Sequence, residues 1–389
     1  MENLERVVVV GASAAGVTTA ETLRREGFTG SITLVGDEKA LPYDRPPLSK
    51  QVLAGAWEPE RTLLRPDSAY LDQGIGLTLG SAATALDLAR RTVALSNGEE
   101  IGYDGLVIAT GTRPRELPFG HDLAGVHVLR TVDDALALRG DLLRSASTVV
   151  VGAGFLGTEA AAAARLLGLD VTLVDPLPLP LVRQFGDRVA STIASLHEER
   201  GVQLRTGVSV AALHGEGAVS GVELTDGTLL PADVVLVAIG AMPATGWLTG
   251  SGVPVDDGVV CDATCQAADG VYAAGDVARW FNPHFGGLMR VEHRMNATEQ
   301  GMAVARNLLG ARIPFAPVPY FWTDQFDAKI QAYGVFPAEA EMVVVHGELA
   351  ERKFVAHYLA HGRVVGVLGW NMARQLRQDR QLISPATAG

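Results

Sequence analysis

Val7-Val-Val-Val-Gly-Ala-Ser-Ala-Ala-Gly16 and Val149-Val-Val-Gly-Ala-Gly-Phe-Leu-Gly157 decide the fold. Each is a β-branched run that stops at a glycine and restarts as a small-residue stretch suited to a helix. A buried parallel strand that turns sharply into a helix needs glycine, first for the turn itself and then so that a pyrophosphate can approach the backbone. The N–H groups and partial positive charge at the new helix's N-terminus then hold the phosphates. The second stretch has all three glycines, a following alanine-rich helix expected over Thr158 to Leu167, and the run Val171-Thr-Leu-Val174 ending in Asp175. That places an acid at the distance of roughly 20 residues expected of a ribose reader. In the first stretch Ser13 stands where the middle glycine belongs, and after the strand Ile32-Thr-Leu-Val35 the ribose acid is Asp37, with Glu38 as the alternative. The expected nucleotide contacts are Gly11, Ala14, Ala15 and Gly16 at one site and Gly152, Gly154, Phe155, Leu156 and Gly157 at the other. One such motif also fits a plain βαβ unit with no ligand; two suggest a protein that holds two nucleotides and moves electrons between them.

The 389 residues leave room for two or three domains. A formal charge of −12 argues against nucleic acid as a general partner, because phosphate binding needs a basic face. The chain enters a strand almost at once and has no apolar stretch able to span a bilayer, so no membrane association and cytoplasmic residence are expected. Cys261 and Cys265, with no histidine nearby and without Cys-x-x-Cys spacing, read as reduced structural thiols rather than a metal or dithiol site.

Outward from the two fingerprints, buried strands are expected at Leu106 to Ala109 and Val234 to Ile239, the latter closed by Gly240 and Pro243, and a helix over Asn296 to Leu309. After Pro314 short strands alternate with turns at Ile330 to Tyr333, Glu341 to Val345, Lys353 to Tyr358 and Val364 to Leu368, then a helix follows. The second nucleotide unit is therefore inserted into the first. The expected architecture is α/β: two Rossmann-like dinucleotide-binding domains, one over 1–114 and 241–313 and the other over 115–240, plus a small α+β C-terminal domain over 314–389.

Five further motifs occur in order: Tyr43-Asp-Arg-Pro-Pro-Leu-Ser-Lys50, Ala109-Thr-Gly-Thr-Arg-Pro114, Val271-Tyr-Ala-Ala-Gly-Asp276, Asn296-Ala with Gln300, and Phe321-Trp-Thr-Asp-Gln325. Together they resemble the oxygenase-coupled NADH-dependent ferredoxin reductases, an FAD family with a glutathione-reductase-like fold, over essentially the whole chain. The resemblance implies tightly bound FAD at the first fingerprint and NADH at the second. It further implies that Asp276 binds the ribityl and pyrophosphate part of the flavin, and that Arg45, Ala83, Thr110 and Arg130 are flavin contacts with Trp322 as an aromatic wall. Lys50 is placed near the reactive edge of the isoalloxazine, with Glu159 beside it and the nicotinamide; these two are the expected catalytic residues, and Gly240 joins the nucleotide contacts. No metal is expected. Where the family has tryptophan in a Glu-x-Trp-x-Asn-Ala stretch, this chain has Arg294 in Glu292-His-Arg-Met-Asn296, facing either the flavin or a docking partner.

The implied reaction passes hydride from NADH to the flavin and then single electrons to a small acidic iron–sulfur ferredoxin serving a cytochrome P450 or Rieske oxygenase. No cysteine stands where disulfide reductases and NADH peroxidases need one, so electrons leave the flavin directly. Asp175 favours NADH, since it repels a 2′-phosphate, although Arg183 nearby leaves NADPH open. A basic patch from Arg290, Arg294, Arg374, Arg377 and Arg380 is expected to receive the ferredoxin. A rubredoxin or monodehydroascorbate-type reductase, a slow regulatory flavoprotein related to apoptosis-inducing factor, and a flavin-free nucleotide module are the competing readings; monomer and homodimer both stand.

Overall fold

The computed structural model of the protein describes residues 4–383. Its first sheet has six strands in the spatial order Gln266–Ala268, Val271–Ala273, Gly105–Ile108, Arg6–Val10, Ser31–Val35 and Ile75–Thr78. All pairings are parallel except at the Gln266–Ala268 edge. Such strands are covered on both faces and so need continuous rather than alternating apolar residues; Val7, Val8, Val9 and Val10 are each at most 2% exposed. A second, wholly parallel sheet runs Val202–Thr206, Asp170–Asp175, Ser147–Val151, Val234–Val237, Val126–His127.

The chain passes between these sheets twice, and the two passages pair as an antiparallel ribbon, Thr112–Pro114 against Ala241–Pro243. The strands expected to reach Ala109 and Ile239 end sooner, at Ile108 and Val237. In each case the chain turns where it meets a fingerprint: the carbonyls of Ala109 and Ala238 lie directly against Gly11 and Gly152. The helices after the fingerprints are Ala14–Arg25 and Phe155–Leu166, and the helix expected from Asn296 begins earlier, as Arg294–Leu308.

The C-terminal sheet is antiparallel, in the order Tyr320–Gln325, Ala328–Gly334, Arg363–Trp370, Lys353–Ala360, Glu341–Glu348, followed by the helix Ala373–Asp379. Its inner face, with Phe354, Tyr358 and Trp370, shares one core with Leu181, Phe185, Val189 and Ile193 of the second nucleotide unit. Several short antiparallel strands were not legible in sequence, among them Tyr320–Gln325 and the hairpin Ala278–Asn282 with Gly287–Arg290. They are brief and carry large apolar residues on both faces, with Trp280 buried and Phe281 exposed, so their sequence alternation is weak. Among the described residues, no helix is long and apolar enough to cross a membrane.

Candidate functional site

The two glycine turns are built alike. Gly11 N–H donates to the Val35 carbonyl at 2.7 Å and Gly152 N–H to Val174 at 2.8 Å, tying each turn to the neighbouring strand. Gly11 has φ +122° and Gly152 φ +106°, and a Cβ on either would stand 2.0 or 2.3 Å from the Ala109 or Ala238 carbonyl oxygen. The third glycines are equally constrained: a Cβ on Gly16 or Gly157 would meet the carbonyl oxygen of Gly11 or Gly152 within 1.9 and 1.8 Å. The middle position differs. Ser13 and Gly154 both have extended backbone, with φ −134° and −77°, and a Cβ on Gly154 would meet nothing within 4 Å. Serine at this position therefore costs the turn nothing.

Two clefts adjoin at Ser13, Arg45, Ala109, Gly111 and Arg130. The first is lined by Gly11, Asp37, Glu38, Ala83, Thr110 and Trp247 as well. Asp37 is exposed there. Glu38 is engaged, accepting from the Tyr43 hydroxyl and from Arg45 Nη2 at 2.6 Å. The second cleft is walled by Ala14, Ala15, Lys50, Phe155, Leu156, Glu159, Asp276, His293, Arg294 and Trp322. Among the residues of these clefts, Arg45 Nε, Thr112 Oγ1, Trp247 Nε1 and His293 Nδ1 are buried without a protein hydrogen-bond partner. The shared wall and the polar lining of both clefts fit an extended dinucleotide. Burial pushes His293 down to about 4, so its ring is neutral at neutral pH.

At the floor of the second cleft Lys50 Nζ contacts Glu159 Oε2 at 2.8 Å, with the two side chains only 12% and 7% exposed. The lysine follows a short 3₁₀ turn, Pro46–Ser49, which two prolines preorganise; the glutamate sits in the first turns of the helix Phe155–Leu166. Ser49 Oγ donates to the same Oε2 at 2.6 Å and Thr323 Oγ1 to Oε1 at 2.8 Å. Three donors thus converge on one buried carboxylate. Ser49 and Thr323 lay inside motifs quoted above, but nothing in the sequence distinguished them from their neighbours.

Asp276 pairs with Arg130 at 3.3 Å, and Arg45 Nη1 donates to the Arg130 carbonyl at 2.7 Å. Gln300, fully buried, accepts from the Gly275 N–H at 2.8 Å and so holds the turn that carries Asp276. Trp322 stacks on Tyr320, with ring centroids 5.9 Å apart. Asp175 is engaged more than its position suggested: Oδ2 accepts from Ala153 N–H at 2.6 Å and Oδ1 from Leu177 N–H at 2.8 Å, leaving lone pairs over. Gly16, Gly152, Gly154, Gly157, Asp175 and Gly240 line neither cleft; Gly240 is exposed beyond the end of Val234–Val237.

Arg294 takes neither of its two expected courses alone. It lines the second cleft while its guanidinium pairs with Asp44 and contacts Thr298. The basic patch is likewise corrected. Arg290 is 15% exposed and held by Glu292 at 2.6 Å and Asp257 at 3.3 Å, so only Arg374, Arg377 and Arg380 are exposed. Arg377 lies near enough to Tyr320 to act electrostatically on its phenol. Both cysteines are buried, and desolvation raises both thiols, Cys265 to about 12.

Residues 5–301 match the pyridine nucleotide-disulphide oxidoreductase model and residues 320–388 the reductase C-terminal model. The chain is 37% identical over 381 residues to rhodocoxin reductase of Rhodococcus erythropolis, covering 97% of this chain and 89% of the relative. It is 37% identical over 379 residues to the ferredoxin–NAD(+) reductase subunit of the benzene 1,2-dioxygenase system of Pseudomonas putida, covering 97% and 92%. Among solved structures, the covalent putidaredoxin reductase–putidaredoxin complex superposes with TM-score 0.94 at 36% identity, over 98% of this chain and 93% of that one.

Proposed function

The chain belongs to the pyridine nucleotide-disulphide oxidoreductase family, and from that premise we propose that it is an FAD-dependent NADH:ferredoxin oxidoreductase supplying a cytochrome P450 or Rieske oxygenase. The observation that carries the reading is the second cleft. It is bounded by helices that follow both glycine turns, has Lys50 and Glu159 at its floor, and is lined by neither cysteine. An enzyme so built delivers electrons to an external acceptor rather than to a thiol pair of its own. When bound, FAD supplies the exchange between two-electron and one-electron chemistry that protein side chains lack.

In this reading residues 1–114 and 241–313 form the FAD domain, 115–240 the NAD domain and 314–389 the C-terminal domain, with the paired ribbon at Thr112–Pro114 and Ala241–Pro243 as their junction. Gly11, Ala14, Ala15 and Gly16 receive the flavin nucleotide. Asp37, free where Glu38 is engaged, takes its ribose. Arg45, Ala83, Thr110, Arg130, Asp276, Arg294 and Trp322 complete the site. Gly152, Gly154, Phe155, Leu156, Gly157 and Gly240 receive NADH, and Lys50 and Glu159 act at the reacting edge.

Anaerobic stopped-flow mixing with NADH, then with candidate ferredoxins, tests the whole reading. Rapid bleaching of flavin absorbance followed by rapid ferredoxin reduction is the expected result; bleaching without transfer to any ferredoxin overturns it. An acidic ferredoxin docks at Arg374 and Arg377, so Arg377→Glu is expected to slow ferredoxin reduction at low salt about tenfold and to flatten its salt dependence, while flavin reduction by NADH is unaffected. Salt dependence equal to wild type removes this patch from the docking surface.

Asp175 selects the nucleotide by charge. Asp175→Asn keeps an acceptor for the turn but loses the repulsion of a 2′-phosphate, and it is expected to narrow the NADH over NADPH ratio of kcat/KM at least about tenfold. Comparable kcat/KM for the two nucleotides in the wild type eliminates the role.

A further inference from the structure

Behind Glu159 the buried polar chain does not stop at Thr323. Gln325, on the same C-terminal strand, donates through Nε2 to Thr323 Oγ1 at 3.2 Å and to Thr158 Oγ1 at 2.9 Å. Its Oε1 faces His197 Nε2 at 2.9 Å. Thr158, Thr323, Gln325 and His197 are all fully buried, so each proton in the chain must be accounted for.

One assignment pairs every group in the chain except His197 Nδ1. The Thr323 hydroxyl spends its proton on Glu159 Oε1. Thr158 Oγ1 spends its own on the carbonyls of Gly154 and Phe155, at 2.9 and 3.1 Å. Both hydroxyls can then only accept from Gln325, which turns the amide NH₂ toward them and leaves Oε1 for His197. The His197 proton therefore sits on Nε2. Its Nδ1 is buried without a partner, and burial holds the ring in its neutral form.

We infer that Gln325, oriented by His197, is a positioning residue for hydride transfer: through Thr323 it orients the Glu159 carboxylate that holds Lys50, and through Thr158 it supports the Gly154 turn of the second fingerprint. The network joins Ser49 and Lys50, the helix Phe155–Leu166 and the strand Tyr320–Gln325, so the C-terminal sheet sets the geometry at the junction of the two nucleotide units. The inference rests on the proposed reaction.

The test uses the flavin-loaded enzyme with Thr323→Val, Thr323→Ser and Gln325→Leu. Losing one hydrogen bond to a buried carboxylate is expected to slow flavin reduction at saturating NADH about tenfold in Thr323→Val, with the NADH dissociation constant little changed. Gln325→Leu is expected to slow reduction similarly and, by releasing Thr158, to weaken NADH binding several-fold. Thr323→Ser keeps the hydroxyl and restores the rate. The midpoint potential of the bound flavin, read by dye equilibration, is expected to move in Thr323→Val and to return in Thr323→Ser. A Thr323→Val enzyme with wild-type rate and potential overturns the inference, as does a Thr323→Ser enzyme as impaired as the valine variant, which shows packing alone. Should Gln325→Leu fail to fold, the two Thr323 variants decide. A wild type that NADH does not reduce overturns the proposed function instead.

Discussion

Gly11→Ala protein is expected to purify with little or no flavin and with a markedly lower melting temperature. The methyl group meets two obstacles at once. The backbone stands at φ +122°, where an L side chain is strained, and the new Cβ lies 2.0 Å from the Ala109 carbonyl oxygen. Neither obstacle moves cheaply, because Ala109 N–H is bonded to the Val10 carbonyl at 2.7 Å within the central sheet. Strain and overlap together are expected to cost about 4 kcal/mol or more, and the turn opens. Ser13→Gly is the matched control: its backbone is extended, and flavin content and melting temperature are expected to stay near wild type. Gly154→Ala separates folding from binding at the other turn. Open space surrounds that position, so the variant is expected to fold and to keep its flavin. Flavin absorbance per protein and thermal unfolding of the three variants are the measurements. A yellow Gly11→Ala protein of wild-type stability contradicts the account.

Glu159→Gln is expected to lower the rate of flavin reduction by NADH on the order of a hundredfold. The carboxylate accepts from Lys50, Ser49 and Thr323, the last two at 2.6 and 2.8 Å. Glutamine offers one acceptor oxygen where three donors converge, and it removes the negative charge from beside a lysine that is only 12% exposed. Leaving such an ammonium unpaired costs about 3–5 kcal/mol in a buried setting, so the Lys50 side chain is expected to abandon its place. Ser49→Ala, which removes one neutral donor, is expected to have a much smaller effect. Stopped-flow reduction at several NADH concentrations reads the difference. A wild-type limiting rate in Glu159→Gln excludes the pair from the chemistry.

The α/β character was legible because its signals are local. Uninterrupted valine at residues 7–10 and 149–151 reports burial on both faces, and glycine in the turn reports a steric demand of the backbone itself. The same locality explains what was missed. The hairpin Ala278–Asn282 with Gly287–Arg290 leaves Phe281 and Leu288 exposed, so its apolar pattern does not mark an inner face. Arg290 looked like a docking charge because a sequence shows an arginine's charge but not the Glu292 and Asp257 that hold it, and whether Arg294 faced the flavin or a partner stayed open because the sequence does not show Asp44 against it.

By itself the sequence determined two glycine turns between strand and helix and their order, because strand, turn and helix are contiguous and their constraints act over a few residues. Only the tertiary structure decided that Asp37 is free while Glu38 is occupied. It alone brought Lys50, Glu159 and Thr323 together from three distant segments, and it ran Gln325 and His197 in behind them. The reason is that a hydrogen bond between side chains 109 or 164 residues apart leaves no periodicity in the chain. It exists only once the segment around Lys50 and the C-terminal sheet have both packed against the helix Phe155–Leu166.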